Sequence, residues 1–434
     1  MRPRVSILWL LLIAIFAANI FAQVRITPVA TGWARNQVNA VIFRKNSVTS
    51  FNGAQYVAFY DDASRVVLAK RKLGALTWEM RTTQFTGDTT DAHNSISIAI
   101  DGKGFLHLAW GNHNTRLNYA RGVAAGALEF GEKAVMIGRT EDKVTYPEFH
   151  SMPNGDLMFF YRDGASGNGN LVLNRYDVKT AKWNRIQDNL VDGEKQRNAY
   201  PQITVDTKGT IHVSWVWRET GDVATNHDLC YARSIDGGKT WTRSNGEKYQ
   251  IPINASTAEY VWRIPQKSEL INQTSMATDA EGNPYIATYW RSADSAIPQY
   301  RLVYFDGKTW RSSQISNRKA PFSLSGGGTK RIPISRPQVV VDSSKGKKRV
   351  IVIFRDEERG SRVSAAVSTD LKNDCWNVID LGNTDVGMWE PSFDQNLWNQ
   401  TRKLNLFVQN VGQGDGEKLE QLPPQMISIL EWKP

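Results

Sequence analysis

The sequence predicts an all-β protein, a seven-bladed β-propeller with four-stranded antiparallel blades. Three observations lead to this prediction. The 434-residue chain contains 15 Trp, 14 Tyr, 16 Phe and 33 Gly, and these residues favour strands and the tight turns between them. After residue 30, no segment keeps the hydrophobic period of an amphipathic helix. Instead, one strand–turn–strand unit recurs seven times along the chain.

The repeated unit is a short apolar strand, a turn rich in Asp, Asn or Gly, and a stronger second strand. SISIAIDGKGFLHLAW and QITVDTKGTIHVSWVW are two clear copies. The seven copies end at Tyr60, Trp110, Tyr161, Trp217, Trp290, Phe354 and Val408. A spacing of roughly 50 to 70 residues with two visible strands is typical of propeller blades.

The second half of each period supplies the outer strands of a blade. It often contains another strand pair that is closed by a tryptophan, as at Trp78, Trp183 and Trp310. Residues 234–241, SIDGGKTW, form a full Asp-box, for which we expect a structural role. The strand-like ends VRITPVATGWA and MISILEWKP are expected to pair and close the ring, which removes a sheet edge. The prediction is therefore one propeller domain over residues 23–434.

The first 22 residues read as a secretory signal peptide. Arg2 and Arg4 precede an apolar run, VSILWLLLIAIFAANIFA, and the chain turns polar at Gln23. We expect cleavage near Ala22; the alternative is an uncleaved membrane anchor, since the apolar run is almost long enough to span a bilayer. The predicted location is secreted or periplasmic.

The charge and the cysteine count narrow the choice of partner. Lys and Arg total 53 against 43 Asp and Glu, which gives a formal net charge of +10. A basic surface attracts anions such as nucleic acid, anionic lipid or acidic polysaccharide. Export makes nucleic acid a poor candidate, so we expect an acidic polysaccharide or oligosaccharide as partner, with no membrane contact after signal cleavage. The two cysteines exclude a disulfide scaffold, and we expect a monomer.

The repeat also predicts a site at one mouth of the ring. In a blade the first strand starts, and the second strand ends, on the same face. The residues where the first strand starts are Asn36, His93, Tyr146, Tyr200, Asn272, Arg336 and Glu390. The residues where the second strand ends are Asp61, Gly111 to His113, Arg162, Arg218, Arg291, Arg355 and Gln409. Four consecutive blades thus end their second strand in arginine. A single arginine there usually caps a strand and faces water, but four at one register repel each other and favour a bound anion.

The six histidines fall into three groups, and His150, which lies in a predicted strand, belongs to the structural ones. His93 and His113 flank the inner hairpin of one blade at the predicted mouth. His107 and His212 lie at matching positions inside second strands, which predicts a packing role. His227 and Cys230 have ligand-like spacing, but two groups make no metal site, and we expect a structural role.

One glycine-rich segment has no predicted function. Residues 325–330, SGGGTK, lack the spacing and the strand–helix context of a phosphate-binding loop. We therefore interpret this segment as a connecting loop.

Several motifs together resemble a known family. These are DAHNSISIAID at residues 91–101, GNHN at 111–114, TYPEF at 145–149, YRDGASGNGN at 161–170 and NHDLCYARSIDGGKTW at 226–241. They resemble the BNR-repeat-containing propellers, which include seven-bladed ulvan lyases, lyases of the L-rhamnose-α-1,4-D-glucuronate linkage and an α-L-rhamnosidase branch. The resemblance implies that His93, His113, Tyr146, Arg162 and Arg218 occupy active-site positions. It also implies a structural zinc ion, but the cysteine-rich ligand set of the ulvan lyases is not evident here.

The predicted residues suit the chemistry of a uronate lyase. Arginine can neutralise the carboxylate through its bidentate fork, histidine can remove the C5 proton, and tyrosine can protonate the leaving oxygen. We expect His93, His113 and Tyr146 to be catalytic. The residues expected to bind substrate are Arg162, Arg218, Asn94, Tyr200, Arg291 and Arg355. The scheme needs no cofactor and no catalytic metal, and a structural metal ion is left open.

Two other functions stay open beside a polysaccharide lyase that cleaves a rhamnose–uronate linkage by β-elimination. One is an α-L-rhamnosidase-type glycoside hydrolase, and the other is a propeller that binds glycans without catalysis. A sialidase fits less well, because sialidases have six blades and several Asp-boxes. Hydrolases more often present two carboxylates. The acids in the two strand-end sets are Glu390 and Asp61, so we expect no carboxylate pair beside the histidines, which favours elimination.

Overall fold

The computed structural model describes residues 24–43, 47–272, 275–344 and 346–434. Within these residues, 28 strands form seven antiparallel sheets that are arranged as the blades of a propeller, which confirms the predicted fold. The predicted signal peptide, residues 1–22, lies outside the described residues and stays a prediction. In the described part of the chain, no helix is long and apolar enough to cross a membrane.

The blades follow one another along the chain, and their innermost strands face each other around the central axis. Blade 1 consists of β2 (Val48–Phe51), β3 (Ala54–Tyr60), β4 (Arg65–Lys72) and β5 (Glu79–Thr86). Blade 2 consists of β6 (Ile96–Ile100), β7 (Leu106–Trp110) and β9 (Tyr119–Arg121). Blade 3 consists of β10 (Val144–Ser151), β11 (Leu157–Ala165), β12 (Asn168–Asp177), β13 (Lys182–Gln187) and the added strand β8 (His113–Thr115).

The remaining blades are four-stranded. Blade 4 consists of β14 (Asn198–Val205), β15 (Ile211–Arg218), β16 (Asn226–Ser234) and β17 (Glu259–Trp262), and blade 5 of β18 (Ser275–Thr278), β19 (Pro284–Trp290), β20 (Gln299–Phe305) and β21 (Trp310–Gln314). Blade 6 consists of β22 (Gln338–Asp342), β23 (Arg349–Phe354), β24 (Ser364–Asp370) and β25 (Cys375–Asp380). Blade 7 consists of β26 (Ser392–Phe393), β27 (Leu404–Val408), β28 (Gln425–Trp432) and β1 (Val24–Gly32).

Blade 7 closes the ring with both ends of the described chain. β1 pairs with β28 in antiparallel register, with Ile26 opposite Leu430, and β28 pairs in turn with β27. The N-terminal strand therefore forms the outer edge of the blade that the C-terminal strand builds. This confirms the predicted pairing of the two ends.

Blades 2 and 3 depart from the expected four strands. Blade 2 has three strands and blade 3 has five, because the chain leaves blade 2 after Trp110 and adds β8 to β10 of the next blade. Gly111 makes this turn with a φ of 62°, a conformation that costs glycine little. The result is that His113 lies opposite Thr145 of blade 3.

Two predicted packing histidines are buried inside the blades. His107 Nδ1 lies 2.8 Å from the Tyr119 hydroxyl, and His212 Nδ1 lies 2.7 Å from the Tyr231 hydroxyl. Burial lowers the pKa of both imidazoles. They are therefore structural residues, as predicted.

The Asp-box also has the expected structural role. Asp236 Oδ1 accepts a hydrogen bond of 2.9 Å from the Thr240 amide, and Trp241 is fully buried between blades 3 and 4.

The seventh copy of the repeat contains a helix that its sequence did not predict. Helix α1 (Gln395–Thr401) lies between β26 and β27 at the end of the channel where the inner strands finish. Its Gln395 donates to Thr204 Oγ1 at 3.1 Å, and Asn396 donates to Thr49 Oγ1 at 3.1 Å. The helix therefore fills this end of the channel. Three short 3-10 helices occupy Gln37–Asn39, Val223–Thr225 and Glu357–Arg359.

Candidate active site

A cavity of about 350 Å³ opens at the opposite end of the channel, where the inner strands begin. It collects residues from connections and strands all around the ring. They are Phe43, Asp91, His93, His113, Tyr146, Arg162, Ser166, Tyr200, Arg218, Gly221, Val223, Ile271, Asn272, Gly327, Gly328, Thr329, Lys330, Ile332, Arg336 and Glu417. All three predicted catalytic residues are among them, together with three of the predicted substrate-binding residues: Arg162, Arg218 and Tyr200.

The other three predicted substrate-binding residues lie outside the cavity. Arg291 is directed away by an ion pair with Glu269, where Nε and Oε2 are 2.7 Å apart. Arg355 is buried and donates to backbone carbonyls, including that of Trp389 at 3.2 Å. Asn94 is buried and donates to the Asp88 carbonyl at 3.0 Å. The prediction that four arginines converge is therefore wrong for blades 5 and 6, because local partners hold those two side chains.

The two site histidines are held as a stacked pair by one carboxylate. His93 Nδ1 lies 2.6 Å from Asp91 Oδ1, and His113 Nδ1 lies 2.6 Å from Asp91 Oδ2. The two rings stack at 4.1 Å between centroids with an interplanar angle of 17°. Because Asp91 engages Nδ1 of each ring, Nε2 is the nitrogen available to a ligand.

Tyr146 and two carboxylates, Asp91 and Glu417, raise the pKa of His93. Burial opposes ionisation of Asp91, but the hydrogen bonds from His113 and His93 outweigh it and hold the pKa of Asp91 well below its usual range. Burial also opposes protonation of His93, but Tyr146 together with Asp91 and Glu417 raises the pKa of His93 to about 10. Asp91 is therefore an anion at neutral pH, and His93 is an imidazolium.

The expectation of no carboxylate pair beside the histidines is wrong, because both Asp91 and Glu417 contact His93. Asp91 belongs to the DAHN motif, two residues from His93, and was missed because it lies outside the strand-end positions. Glu417 comes from the β27–β28 connection of blade 7, and its Oε1 lies 3.2 Å from His93 Nδ1. Nothing in the local sequence around Glu417 points to the site, since only ring closure brings the β27–β28 connection to His93 of blade 2.

Arg162, Arg218 and Tyr200 form the positive side of the cavity. Arg218 Nη1 donates to the Tyr200 hydroxyl at 3.1 Å, and Ser166 Oγ lies 3.0 Å from the same hydroxyl. Burial disfavours the tyrosinate, but the charges of Arg218 and Arg162 outweigh it and lower the pKa of Tyr200 to about 7. The two arginines thus stabilise negative charge next to them.

Arg162 has donor capacity that the described residues do not use. Its side chain is 5% exposed, and its Nε donates to the Gly164 carbonyl at 3.1 Å. Its Nη1 is buried without a hydrogen-bond partner among the residues that the structure describes. A buried, unpaired N–H of a charged group is costly, so this donor suits an anionic ligand in the cavity.

Tyr146 lies between the histidines and the arginines. Its ring centroid is 5.9 Å from that of His93, and the Arg162 Cζ lies 5.1 Å from the Tyr146 ring. The residue occupies a bulge in β10 with a φ of 55°, a left-handed conformation that is uncommon for a bulky side chain. The bulge aims the side chain at the cavity, and such strain is often found at functional sites.

Phe43 forms the wall behind these groups, and sequence reasoning missed it. Its ring stacks on His93 at 5.1 Å, and the Arg336 Cζ lies 4.5 Å from the Phe43 ring. Arg336 also forms an ion pair with Glu390, with 2.7 Å between Nη2 and Oε2. This pair holds Phe43 and therefore helps to fix the imidazole of His93.

The histidine pair is also the place where a metal ion would find ligands. Potential ligand atoms of Asp91, His93 and His113 all lie within 4.8 Å of one another. Hydrogen bonds already connect them, and the cationic state of His93 disfavours metal binding. The predicted absence of a catalytic metal stays a prediction.

His227, the other histidine with ligand-like spacing in the sequence, lies in an ion-pair network. Its Nε2 is 2.8 Å from Glu219 Oε1.

Comparison with known sequences identifies relatives over part of the chain. A sequence model described as a BNR repeat-containing family member matches residues 54–318, more than half of the chain. An ulvan lyase from Nonlabens ulvanivorans is 25% identical over 267 residues, which cover 52% of this chain and 55% of that protein. The short isoform of an ulvan lyase from Alteromonas sp. (strain LOR) is 37% identical over 208 residues, covering 42% and 38%. The chain thus spans about half the length, or less, of these relatives.

Comparison with solved structures supports the same architecture. The crystal structure of polysaccharide lyase Uly1 superposes with a TM-score of 0.70 at 14% identity, covering 94% of this chain and 99% of that one. A PL25 ulvan lyase bound to -[GlcA(1-4)Rha3S]- gives 0.63 at 14% identity, covering 92% and 94%. At such low identity the superpositions show the shared fold alone.

Proposed function

Because this chain belongs to the BNR repeat-containing family, we propose that it is a polysaccharide lyase that cleaves a rhamnose–uronate linkage by β-elimination. The observation that carries the proposal is that three functional groups line one cavity. They are the Arg162 guanidinium, which has an unpaired N–H donor, the Tyr146 phenol, and the His113 imidazole, which the Asp91 carboxylate holds in place. The related ulvan lyases support the same reaction class.

The arginines would neutralise the uronate carboxylate. Arg162 offers its buried, unpaired Nη1, and Arg218 lies next to it across the Tyr200 ring, with its Cζ 4.7 Å from the ring centroid. Neutralising the carboxylate makes the C5 proton more acidic, because the negative charge that develops on the carboxylate oxygens is stabilised.

His113 is the proposed base. Asp91 accepts the Nδ1 proton of His113, which places the lone pair of a neutral imidazole at Nε2. The His113 side chain is 33% exposed against 10% for His93, so substrate reaches it more readily. His93 is held as a cation, and we assign it to charge stabilisation beside the base.

Tyr146 is the proposed acid. In the elimination, His113 Nε2 takes the C5 proton, the C5–H electron pair forms the C4–C5 double bond, and the C4–O bond breaks. The Tyr146 hydroxyl gives its proton to the leaving oxygen, and proton exchange with solvent restores both residues. No water is added to the sugar, and no cofactor takes part in this scheme.

The hydrolase alternative has one specific observation in its favour. Asp91 and Glu417 both contact His93 Nδ1 and therefore lie close together. Both carboxylates are already engaged in hydrogen bonds, which argues against a pair of catalytic acids. Asp91 holds two imidazoles, and Glu417 also accepts a hydrogen bond of 2.5 Å from the Thr329 amide. Burial raises the pKa of Glu417, but the hydrogen bond from His93 and the charge of that imidazolium outweigh burial and lower the pKa. Neither Glu417 nor Asp91 is therefore kept protonated for acid catalysis.

The product distinguishes the two reactions. The purified protein would be incubated with ulvan and with gum arabic in heavy-oxygen water. We expect an unsaturated uronate that absorbs in the ultraviolet and carries no heavy oxygen. Heavy oxygen at the new reducing end, without the ultraviolet band, would establish hydrolysis, and binding without any product would favour a glycan-binding propeller.

We further propose an exported monomer that acts on acidic polysaccharide outside the cytoplasm. The N-terminal sequence supports export, and the formal net charge of +10 suits an anionic polymer.

A further inference from the structure

One connection reaches across the axis at the mouth of the propeller. Residues 325–332, here called the strap, belong to the connection between β21 of blade 5 and β22 of blade 6. Five of these eight residues line the active-site cavity. They include the glycine-rich segment for which the sequence predicted no function.

The strap is fixed on the side of blade 4. The Gly326 amide donates to Asp222 Oδ1 at 2.7 Å, and the Gly326 carbonyl accepts from the Val223 amide at 3.0 Å. Both partners belong to the connection between β15 and β16 of blade 4.

The far end of the strap is fixed to blade 7 and blade 2. Lys330 Nζ lies 2.7 Å from Asp415 Oδ2, and the Gly416 amide donates to the Thr329 carbonyl at 2.9 Å. Thr329 Oγ1 also lies 3.4 Å from Nδ1 of His93 in blade 2. Blade 2 is opposite the origin of the strap in a seven-membered ring, so this contact requires the strap to cross the axis.

The strap encloses one side of the cavity and leaves the other side open. Thr329 and Ile332 of the strap are buried, as are Ile271 and Val223, which line the same cavity. On the side of blades 2 and 3, the His113 side chain is 33% exposed. A polymer that ran straight across the mouth would therefore collide with the strap.

A second cavity lies on the open side, over blade 3. It measures about 270 Å³ and is lined by Asn114, Lys143, Asp163, Gly164, Ala165, Asn168, Gly169 and Asn170. The β11–β12 hairpin separates it from the active-site cavity, since Ser166 lines the active-site cavity while its neighbours line the second. Lysine and asparagine side chains suit the carboxylate and hydroxyl groups of an acidic sugar.

We propose that the strap makes the active site single-ended, so that the protein takes the end of an acidic saccharide chain and the rest of the chain leaves over blade 3. The inference rests on the proposed function for the reaction itself, whereas the single-ended shape rests on the strap contacts. The single-ended shape determines which substrates enter the cavity. Chain ends and short oligosaccharides enter, whereas internal linkages of a continuous polymer do not.

The test separates binding from cleavage. Calorimetry would measure binding of ulvan tetrasaccharides that are free, capped with a bulky group at one end, or capped at both ends. We expect the doubly capped sugar to bind at least about tenfold more weakly than the free sugar, because its cap collides with the strap. Equal binding of free and doubly capped sugars would overturn the inference.

Cleavage gives a second readout on the wild-type protein. Digestion of long ulvan should release short products from the earliest time points, while the molar mass of the remaining polymer falls slowly. An early ladder of long oligosaccharides would overturn the inference. End-selective binding without an unsaturated product would refute the lyase proposal and support the single-ended site, and failure of every saccharide to bind would overturn both.

Two variants, each with a control variant, test the structural cause. Asp222→Ala combined with Asp415→Ala removes two side-chain contacts of the strap and should increase binding of the doubly capped sugar, whereas Asp62→Ala, at an exposed turn, should not. Lys143→Ala should weaken tetrasaccharide binding more than disaccharide binding, and Lys208→Ala on the opposite face is its control. If the double variant fails to fold, the capped sugars still decide the question on the wild-type protein.

Discussion

Replacing Arg162 by alanine is the sharpest test of the proposed carboxylate site. Arg162 is 5% exposed, and its Nη1 is unpaired within the described part of the chain, so substrate would complete its hydrogen bonding. Removing one partner of such a charge-assisted pair costs on the order of 2–4 kcal/mol. We therefore expect kcat/KM to fall by about 30-fold to about 1,000-fold.

The same substitution should change stability much less. Arg162 gives up one hydrogen bond to the Gly164 carbonyl, which contributes roughly 1 kcal/mol, and its removal relieves repulsion with Arg218. We expect the melting temperature to change by no more than a few degrees. Arg162→Lys should recover only part of the activity, because lysine keeps the charge but lacks the planar fork.

The matched control is Arg291→Ala. Arg291 ends the second strand of blade 5 at the position equivalent to Arg162, but it forms an ion pair with Glu269 outside the cavity. Activity would be followed by the ultraviolet absorbance of the unsaturated product, and stability by thermal unfolding. If both variants lose activity alike, or if Arg162→Ala loses fold and activity together, the assignment of Arg162 to the substrate carboxylate is wrong.

Three further substitutions test the proposed acid Tyr146 and the charged pair Asp91 and His93. Tyr146→Phe should lower kcat by 10²-fold or more, roughly the contribution of a general acid, while the melting temperature stays near wild type; near-normal kcat would exclude Tyr146 as the acid. Asp91→Asn should lower kcat and move its pH profile, because both imidazoles lose the carboxylate that fixes their charge and tautomer, and an unmoved profile would contradict this role. In the folded protein the pKa of His93 is raised to about 10, so its stabilising contribution should be complete below the unfolded value of roughly 6.5 and decline as the pH rises toward 10. Melting temperatures of wild type and His93→Gln should therefore converge between pH 7 and 10, and a constant difference would contradict the raised pKa.

The sequence by itself determined the ring of blades. The strand–turn–strand unit is a local pattern. The number of its copies gives the number of blades, and the order of its strands gives the pairing of neighbouring strands. The same regularity placed His93, Tyr146, Arg162 and Arg218 at one mouth, because equivalent positions of equivalent blades meet around one axis. The structure places all four in the cavity.

Only the tertiary structure decided which mouth residues face the cavity. Arg291 and Arg355 have the same register as Arg162 and Arg218, yet Glu269 and backbone carbonyls bind them elsewhere. Register determines where a Cα lies, whereas the direction of a long side chain depends on partners that are distant in sequence. Local periodicity contains no information on such partners.

The same reason explains Glu417 and the strap. Thr329 and His93 are 236 residues apart in the chain, and they meet only because the closed ring brings the blade 5–6 connection across the axis to blade 2. Loops carry no hydrophobic period, so their paths cannot be predicted from patterning. Repetition in the sequence therefore determined the scaffold, whereas contacts between irregular connections decided the charge of His93 and the shape of the cavity.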